Sequence, residues 1–250
     1  MSGIPLSPLL NEQALKIEWK SPEVVVAGLP ATWMVRIQAW QLPMHPNSRI
    51  ALVWRWPCDW DKPQSHDPQG LGYTTIKTST QCSLRWKNYR CIEWHPFDHV
   101  FEIEIFDRLE KGEHIEITLG DKCFGSLGMR TQTFYEDDAP ISVRFHSINQ
   151  PWCEIYRYEQ KIISDVAHAW KLIAPSDVVA GEIFEIALRI EDKWCNPAKL
   201  NSKPQIEGTD WLGQPSYPVQ GIIVWCVRIN RIGEHKLTVK GFLSLGFSNP

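Results

Sequence analysis

The chain has 250 residues, enough for one large or two small globular domains. Hydrophobic residues make up 43% and charged residues 22%, an ordinary globular composition that excludes disordered and fibrous classes. Lysine plus arginine number 26 against 29 aspartates and glutamates, a formal charge of −3, so no cationic excess draws the chain to nucleic acid or to an anionic membrane, and neither is expected as a partner.

In chain order, Leu9–Leu15 offers at most a turn or two of helix, and a period of two then dominates. In Thr32–Trp40 the residues Trp33, Val35, Ile37 and Ala39 alternate with Thr32, Met34, Arg36 and Gln38, the trace of a strand with one buried face. Ile50, Leu52, Trp54 and Trp56 share a face in the next strand, and Phe101, Ile103 and Ile105 do so with Glu102 and Glu104 opposite. Ile115, Ile117 and Leu119 follow, then Ile141, Val143 and Phe145, with turn residues in Pro43–Asn47, Asp59–Gly72 and Leu109–Gly112 between the strands. After Tyr158 a polar stretch leads to a second set, in which Phe184, Ile186, Leu188 and Ile190 alternate with Glu185, Ala187, Arg189 and Glu191, followed by Ile223–Ile229 and Lys236–Lys240. The expected fold is all-β: two immunoglobulin-like β-sandwiches in tandem, a larger one over residues 1–158 with a long loop at 59–72, and a smaller one over 159–250. The outward charges, Glu102, Glu104 and Glu191 among them, are expected on solvated sandwich surfaces.

The start, MSGIPLSPLLNEQALKIEW, has no basic segment leading into an apolar stretch, so no signal peptide is expected, and nowhere do about 18 apolar residues run together as a spanning helix requires. Seven cysteines without a C-x-x-C pair make neither a disulfide framework nor a zinc ribbon. Reduced thiols in the cytoplasm are the expectation.

The densest polar cluster is Asp59, Asp61, His66 and Asp67, with His95 and His99 some thirty residues on. Such groups could ligate a divalent metal, but Pro96 breaks the helix that would give the i, i+4 histidines one face, so no metal or other cofactor is expected. The same cluster allows acid–base chemistry, with His66 or His95 as base and Asp67 or Asp59 orienting it. Asp59 and Asp67-Pro68 are equally natural turn formers. Of thirteen tryptophans, Trp33, Trp54 and Trp56 fall on faces expected to be buried, whereas Trp40 and Trp60 lie where an indole could stack on a sugar or pack a loop.

The strings Asp59-Trp60-Asp61-Lys62-Pro63-Gln64-Ser65-His66-Asp67-Pro68, Tyr73, Gly120-Asp121 and Gly125-Ser126-Leu127-Gly128-Met129-Arg130-Thr131-Gln132-Thr133-Phe134 resemble the N-terminal portion of the bacterial family catalogued as domain of unknown function 3604. Ala174-Pro175-Ser176, Val179-Ala180-Gly181-Glu182, Glu191-Asp192-Lys193-Trp194-Cys195-Asn196-Pro197 and Ser248-Asn249-Pro250 are similar to its second segment. In that family the β-rich segments precede a metal-dependent hydrolase domain of the polymerase-and-histidinol-phosphatase (PHP) type, which opens with H-x-H. No H-x-H occurs in this sequence. The resemblance therefore implies a β scaffold beside a separately encoded PHP-type hydrolase, with Asp59, Trp60, Gln64, Asp67, Arg130 and Gln132 as its ligand-binding positions, and it carries no metal chemistry onto these residues.

Three readings follow, with catalysis the less favoured. One is a non-catalytic binding or scaffold module that docks a hydrolase or holds a small molecule. Another is a small enzyme built from the 59–67, 95–99 and 130–132 loops. The third is a tryptophan-based carbohydrate binder.

Overall fold

The computed structural model describes residues 15–148, 150–199, 204–216, 219 and 221–240, and its chain divides into two units, Met1–Ile163 and Ser164–Pro250. The break falls after Ile163 rather than after Tyr158, because one long strand carries the polar 159–163 stretch into the first unit. The predicted turn at Leu9–Leu15 lies outside the described residues except for Leu15, which opens a strand.

In the first unit the strands are β1 (Leu15–Lys20), β2 (Val24–Val26), β3 (Pro30–Ala31), β4 (Trp33–Ala39), β5 (Arg49–Arg55), β6 (Thr74–Thr78) and β7 (Leu84–Arg90). Then come β8 (Phe97–Ile105), β9 (His114–Leu119), β10 (Met129–Arg130), β11 (Glu136–Ser147) and β12 (Gln150–Ile163). They form a four-stranded sheet, β1-β4-β9-β6, a six-stranded sheet, β2-β12-β11-β5-β8-β7, and a small β10-β3 ribbon. Every pairing is antiparallel except that of β2 with β12.

Alternation explains the packing of the sheets. Trp33, Val35, Ile37 and Ala39 of β4 and Ile115, Ile117 and Leu119 of β9 meet Ile50, Leu52 and Trp54 of β5, Phe101, Ile103 and Ile105 of β8, and Ile141, Val143 and Phe145 of β11 in one core. Burying such side chains is worth about 1.5–3 kcal/mol each, the dominant favourable contribution to folding. Trp56 does not join them. The strand ends at Arg55, after a register irregularity between Trp54 and Arg55, and the Trp56 indole is exposed.

The other face of the six-stranded sheet is less wet than its charges suggest. Ala51, Val53 and Val100 are buried there, with Tyr89, Trp94, Phe97 and Trp152 packed against them. Glu102 is buried too, contrary to the solvated face expected for it: it accepts a hydrogen bond from Tyr89 Oη at 2.5 Å and pairs with Lys87 at 3.4 Å. A cation beside Trp94, the Arg144 guanidinium at 4.6 Å, completes this second layer.

The second unit contains β13 (Ala169–Ile173), β14 (Ile183–Glu191), β15 (Gln205–Glu207), β16 (Trp211–Leu212), β17 (Ile222–Arg228) and β18 (Thr238–Lys240). The sheets β13-β14-β17-β16 and β15-β18 enclose Ile186, Leu188, Ile190, Ile206, Ile223, Trp225 and Val227. Glu191, expected in solvent, is buried and paired with Lys171 at 2.9 Å and Arg189 at 2.8 Å. The expected all-β, sandwich-type fold is the observed one, and among the described residues no helix is long and apolar enough to cross a membrane.

Leu52→Ala in the sealed core should lower unfolding free energy by about 2–5 kcal/mol, whereas Ile92→Ala, at a side chain 80% exposed, should change it by less than about 0.5 kcal/mol. Urea denaturation followed by circular dichroism measures both.

Candidate functional site

One end of the first sandwich is closed by the irregular 59–72 segment, which lies against residues 128–134. Arg130 holds the two together. Its backbone N–H and Nε donate to the Asp61 carboxylate at 3.1 and 3.3 Å, and its Nη2 donates to the Asp59 carbonyl at 2.8 Å. Asp59 in turn accepts from the Thr133 N–H and hydroxyl, both at 2.8 Å. The Trp60 indole N–H donates to Gln132 Oε1 at 3.0 Å, and Gln132 Nε2 donates to Glu136 at 2.9 Å. Further along, Gln64 Nε2 donates to the Asp67 carbonyl, Gln64 Oε1 accepts from the Asp67 N–H, and Asp67 Oδ1 accepts from the Gln69 N–H.

Two glycines permit this approach. A Cβ on Gly120, at φ +67°, would stand 2.3 Å from the Met129 nitrogen and 2.5 Å from the Ala31 oxygen, and one on Gly128, at φ +120°, would stand 2.6 Å from the same oxygen. Positive φ and these contacts together admit only glycine. Asp121 accepts from the Cys123 N–H of its own turn at 2.9 Å and from the Thr75 hydroxyl of β6 at 2.6 Å.

The 59–67 and 130–132 segments thus converge as the catalytic and ligand-binding readings required, but the polar atoms of Asp59, Asp61, Gln64, Asp67, Arg130 and Gln132 bond largely to one another and to backbone. Asx and amide bonds of this kind are what turns use. His66 is exposed on the loop surface. His95 is exposed in the turn between Trp94 and β8, its ring 5.9 Å from that of Trp56, and is not among the residues that line the pocket described next. In the second unit Asp192 does the same structural work, accepting from the N–H groups of Trp194 and Asn196 at 2.8 and 2.9 Å. Ser248-Asn249-Pro250 lies outside the described residues.

Beneath the loop is a pocket of about 160 Å³, walled by Trp54, Cys58, Trp60, Asp61 and Lys62 on the β5-loop side and by Asn88, Arg90 and His99 on the β7–β8 side. Trp60 leans on Trp33 and Trp54, with ring centroids 5.0 and 6.5 Å away, so its indole is both part of the core and part of this wall. His99 was legible as a histidine of the 95–99 segment, but only the inward face of β8 shows that it, not His95, reaches the pocket. Arg90 was missed altogether. Its Nε donates to the buried Asp98 at 3.2 Å, and Asp98 Oδ1 lies 3.6 Å from His99 Nε2.

The electrostatics disfavour a thiolate nucleophile and a charged imidazole in the pocket at neutral pH. Burial pushes the Cys58 thiol up to about 11, so it is protonated at neutral pH and no nucleophile. Burial also holds His99 below the usual histidine value, with Arg90 and Lys62 adding to that effect against Asp98, so the imidazole is neutral. Tyr89 is raised by burial and by its bond to Glu102. Among the described residues no three His, Cys, Asp or Glu side chains gather as a metal site needs.

No protein-family model matches the chain, and no curated protein sequence matches it. Solved structures do resemble it. One is the cohesin module from the Clostridium perfringens family 33 glycoside hydrolase, at 12% identity and a TM-score of 0.34 over 61% of this chain and 99% of that one. A second is invasin, a bacterial integrin-binding protein, at 12% identity and 0.32 over 90% of this chain and 36% of that one. A third is AvmM, which catalyses macrocyclization in alchivemycin A biosynthesis, at 10% identity and 0.34 over 67% and 94%. Fold likeness of this kind does not choose between binding and catalysis.

Two results test the site. A double-mutant cycle on Asp61→Ala and Arg130→Ala, measured by chemical denaturation, should give a coupling energy of about 0.5–3 kcal/mol; simple additivity would show that the pair does not act as one unit. Because the native state keeps His99 and His146 below their ordinary values, the unfolded chain binds protons first, and stability should fall as pH drops from 7 through about 6.5. His99→Gln with His146→Gln should flatten that part of the profile.

Proposed function

We propose that this chain is a non-catalytic β-sandwich binding module that holds a small molecule in the pocket under the 59–72 loop. The observation that carries the reading is the pocket itself: a wall of tryptophan already fixed by Trp33 and Gln132, with the neighbouring thiol protonated and so no nucleophile. Preformed, largely apolar hollows with a few placed polar groups are how proteins hold small ligands. Of the residues that the sequence resemblance singles out, Trp60 lines this pocket, and Asp59, Gln64, Asp67, Arg130 and Gln132 serve it indirectly by holding the loop over it.

From that resemblance we further propose that the chain works beside a separately encoded PHP-type hydrolase, presenting the ligand or the scaffold to it. The seven free cysteines are in keeping with a reducing, cytoplasmic setting.

Ligand-observed NMR of the whole protein against a metabolite-sized library tests the binding reading. Compounds should bind without turnover and should be lost when His99→Trp fills the pocket. Conversion of any bound compound to product, sustained in the wild type and abolished by His99→Ala, would overturn the non-catalytic reading.

A further inference from the structure

The size and hydrogen-bonding character of the pocket name a ligand class. A volume of about 160 Å³ compares with the about 150 Å³ apolar cavity that accepts one benzene molecule, so the pocket admits a single six-membered ring. Tryptophan supplies a flat apolar surface for such a ring. The polar groups then decide which ring.

They offer both donors and acceptors. Asp61 accepts one bond on each carboxylate oxygen from Arg130, and each oxygen has a further lone pair to give. Asn88 gives one of its two Nδ2 hydrogens to the Pro63 carbonyl at 2.7 Å, which leaves its amide one donor and its carbonyl oxygen as acceptor. Neutral His99 has one donor and one acceptor, Lys62 has donors only, and Arg90 gives its Nε hydrogen and one Nη2 hydrogen to Asp98, which leaves three further N–H donors. Both signs of charge are present: Lys62 and Arg90 line the pocket with Asp61, while Asp61 is paired with Arg130 and Arg90 with the buried Asp98.

A carboxylate ligand accepts only and would meet the Asp61 carboxylate unfavourably. A bare hydrocarbon ring would use none of these groups and would cover part of their hydrogen-bonding capacity without replacing it. A hydroxyl donates and accepts at once, so several hydroxyls on one ring answer the whole set. Resting on the reading of this pocket as a ligand site, we infer that its occupant is a single six-membered ring bearing several hydroxyls, a monosaccharide residue or a cyclitol, laid on Trp60 and hydrogen-bonded by Asp61, Lys62, Asn88, Arg90 and His99.

The test is saturation-transfer NMR of the full chain with glucose, galactose, N-acetylglucosamine and myo-inositol, alongside benzoate and cyclohexanol as rings of the wrong polarity. At least one polyhydroxylated ring should bind with a dissociation constant of about 1 mM or tighter, and the sugar and inositol arms distinguish the two sources. His99→Gln, which keeps one donor and one acceptor, should retain that affinity, whereas His99→Leu should weaken it at least tenfold with the fold unchanged by circular dichroism. Lys62→Ala, at an exposed side chain, should weaken it severalfold. Equal or better binding of benzoate or cyclohexanol would overturn the ring class while leaving a ligand pocket in place. So would failure of all four hydroxylated rings when other small molecules are displaced by His99→Trp. If no compound of any class is sensitive to His99→Trp, the binding reading itself falls.

Discussion

The grip of Arg130 on Asp59 and Asp61 is the interaction on which the rest of this end of the molecule depends. The 59–72 segment has no strand or helix of its own beyond a single bridge at Gln64, and ordering backbone costs about 1–2 kcal/mol per residue. A segment of that length cannot be held by one ion pair, least of all a partly exposed one. What holds it is a set of bonds made at the same time: Arg130 to Asp61 and to the Asp59 carbonyl, Asp59 to Thr133, Trp60 to Gln132, and the Trp60 indole pressed on Trp33. Each hydrogen bond adds only about 1 kcal/mol, so no single one holds the loop: the set of bonds and the half-buried indole act together, and the polar bonds fix where the indole lies.

That division of labour links the fold to the pocket. The sheets are held by alternating apolar side chains, which would make a closed sandwich with any polar loop over its end. The latch places one particular loop so that Trp60 lines the pocket from one side while Asn88, Arg90 and His99 line it from the inward-facing end of β7 and β8. Asn88 donating to the Pro63 carbonyl ties the opposite wall to the same loop. Chemistry requiring an ionised thiol or a charged imidazole is disfavoured by burial in this hollow, whereas stacking and neutral hydrogen bonding are favoured by it.

Much of the architecture was legible in the sequence, because period-two alternation of large apolar residues is an unambiguous physical signal; β4, β5, β8, β9, β11, β14 and β17 all carry it. Of the strands that escaped notice, β1 carries it in Leu15, Ile17 and Trp19 and was passed over, whereas β7 and β12 break it. β7 begins with inward Leu84 and Trp86 but continues with Asn88 and Arg90, since that end faces the pocket rather than the core. β12 carries tyrosines and charges where a strand buried on one face would carry aliphatics, and so read as the approach to a linker. The motif residues of the 59–68 and 125–134 strings were visible as a group, but which atom bonds which is a property of the closed loop. Trp56 and Glu102 show the same limit in opposite directions: alternation cannot see where a strand ends, nor that aromatic side chains from the 91–97 turn will cover a sheet face.

Hydrogen–deuterium exchange at the amides of Asp61, Gln64 and Gly72 tests the latch most directly, since each donates to a backbone carbonyl across or within the loop. In the wild type these amides should be strongly protected, and in Arg130→Ala they should exchange quickly while Val35, Leu52 and Ile103 stay protected. Fast exchange in the wild type, or protection unchanged in Arg130→Ala, would contradict the account.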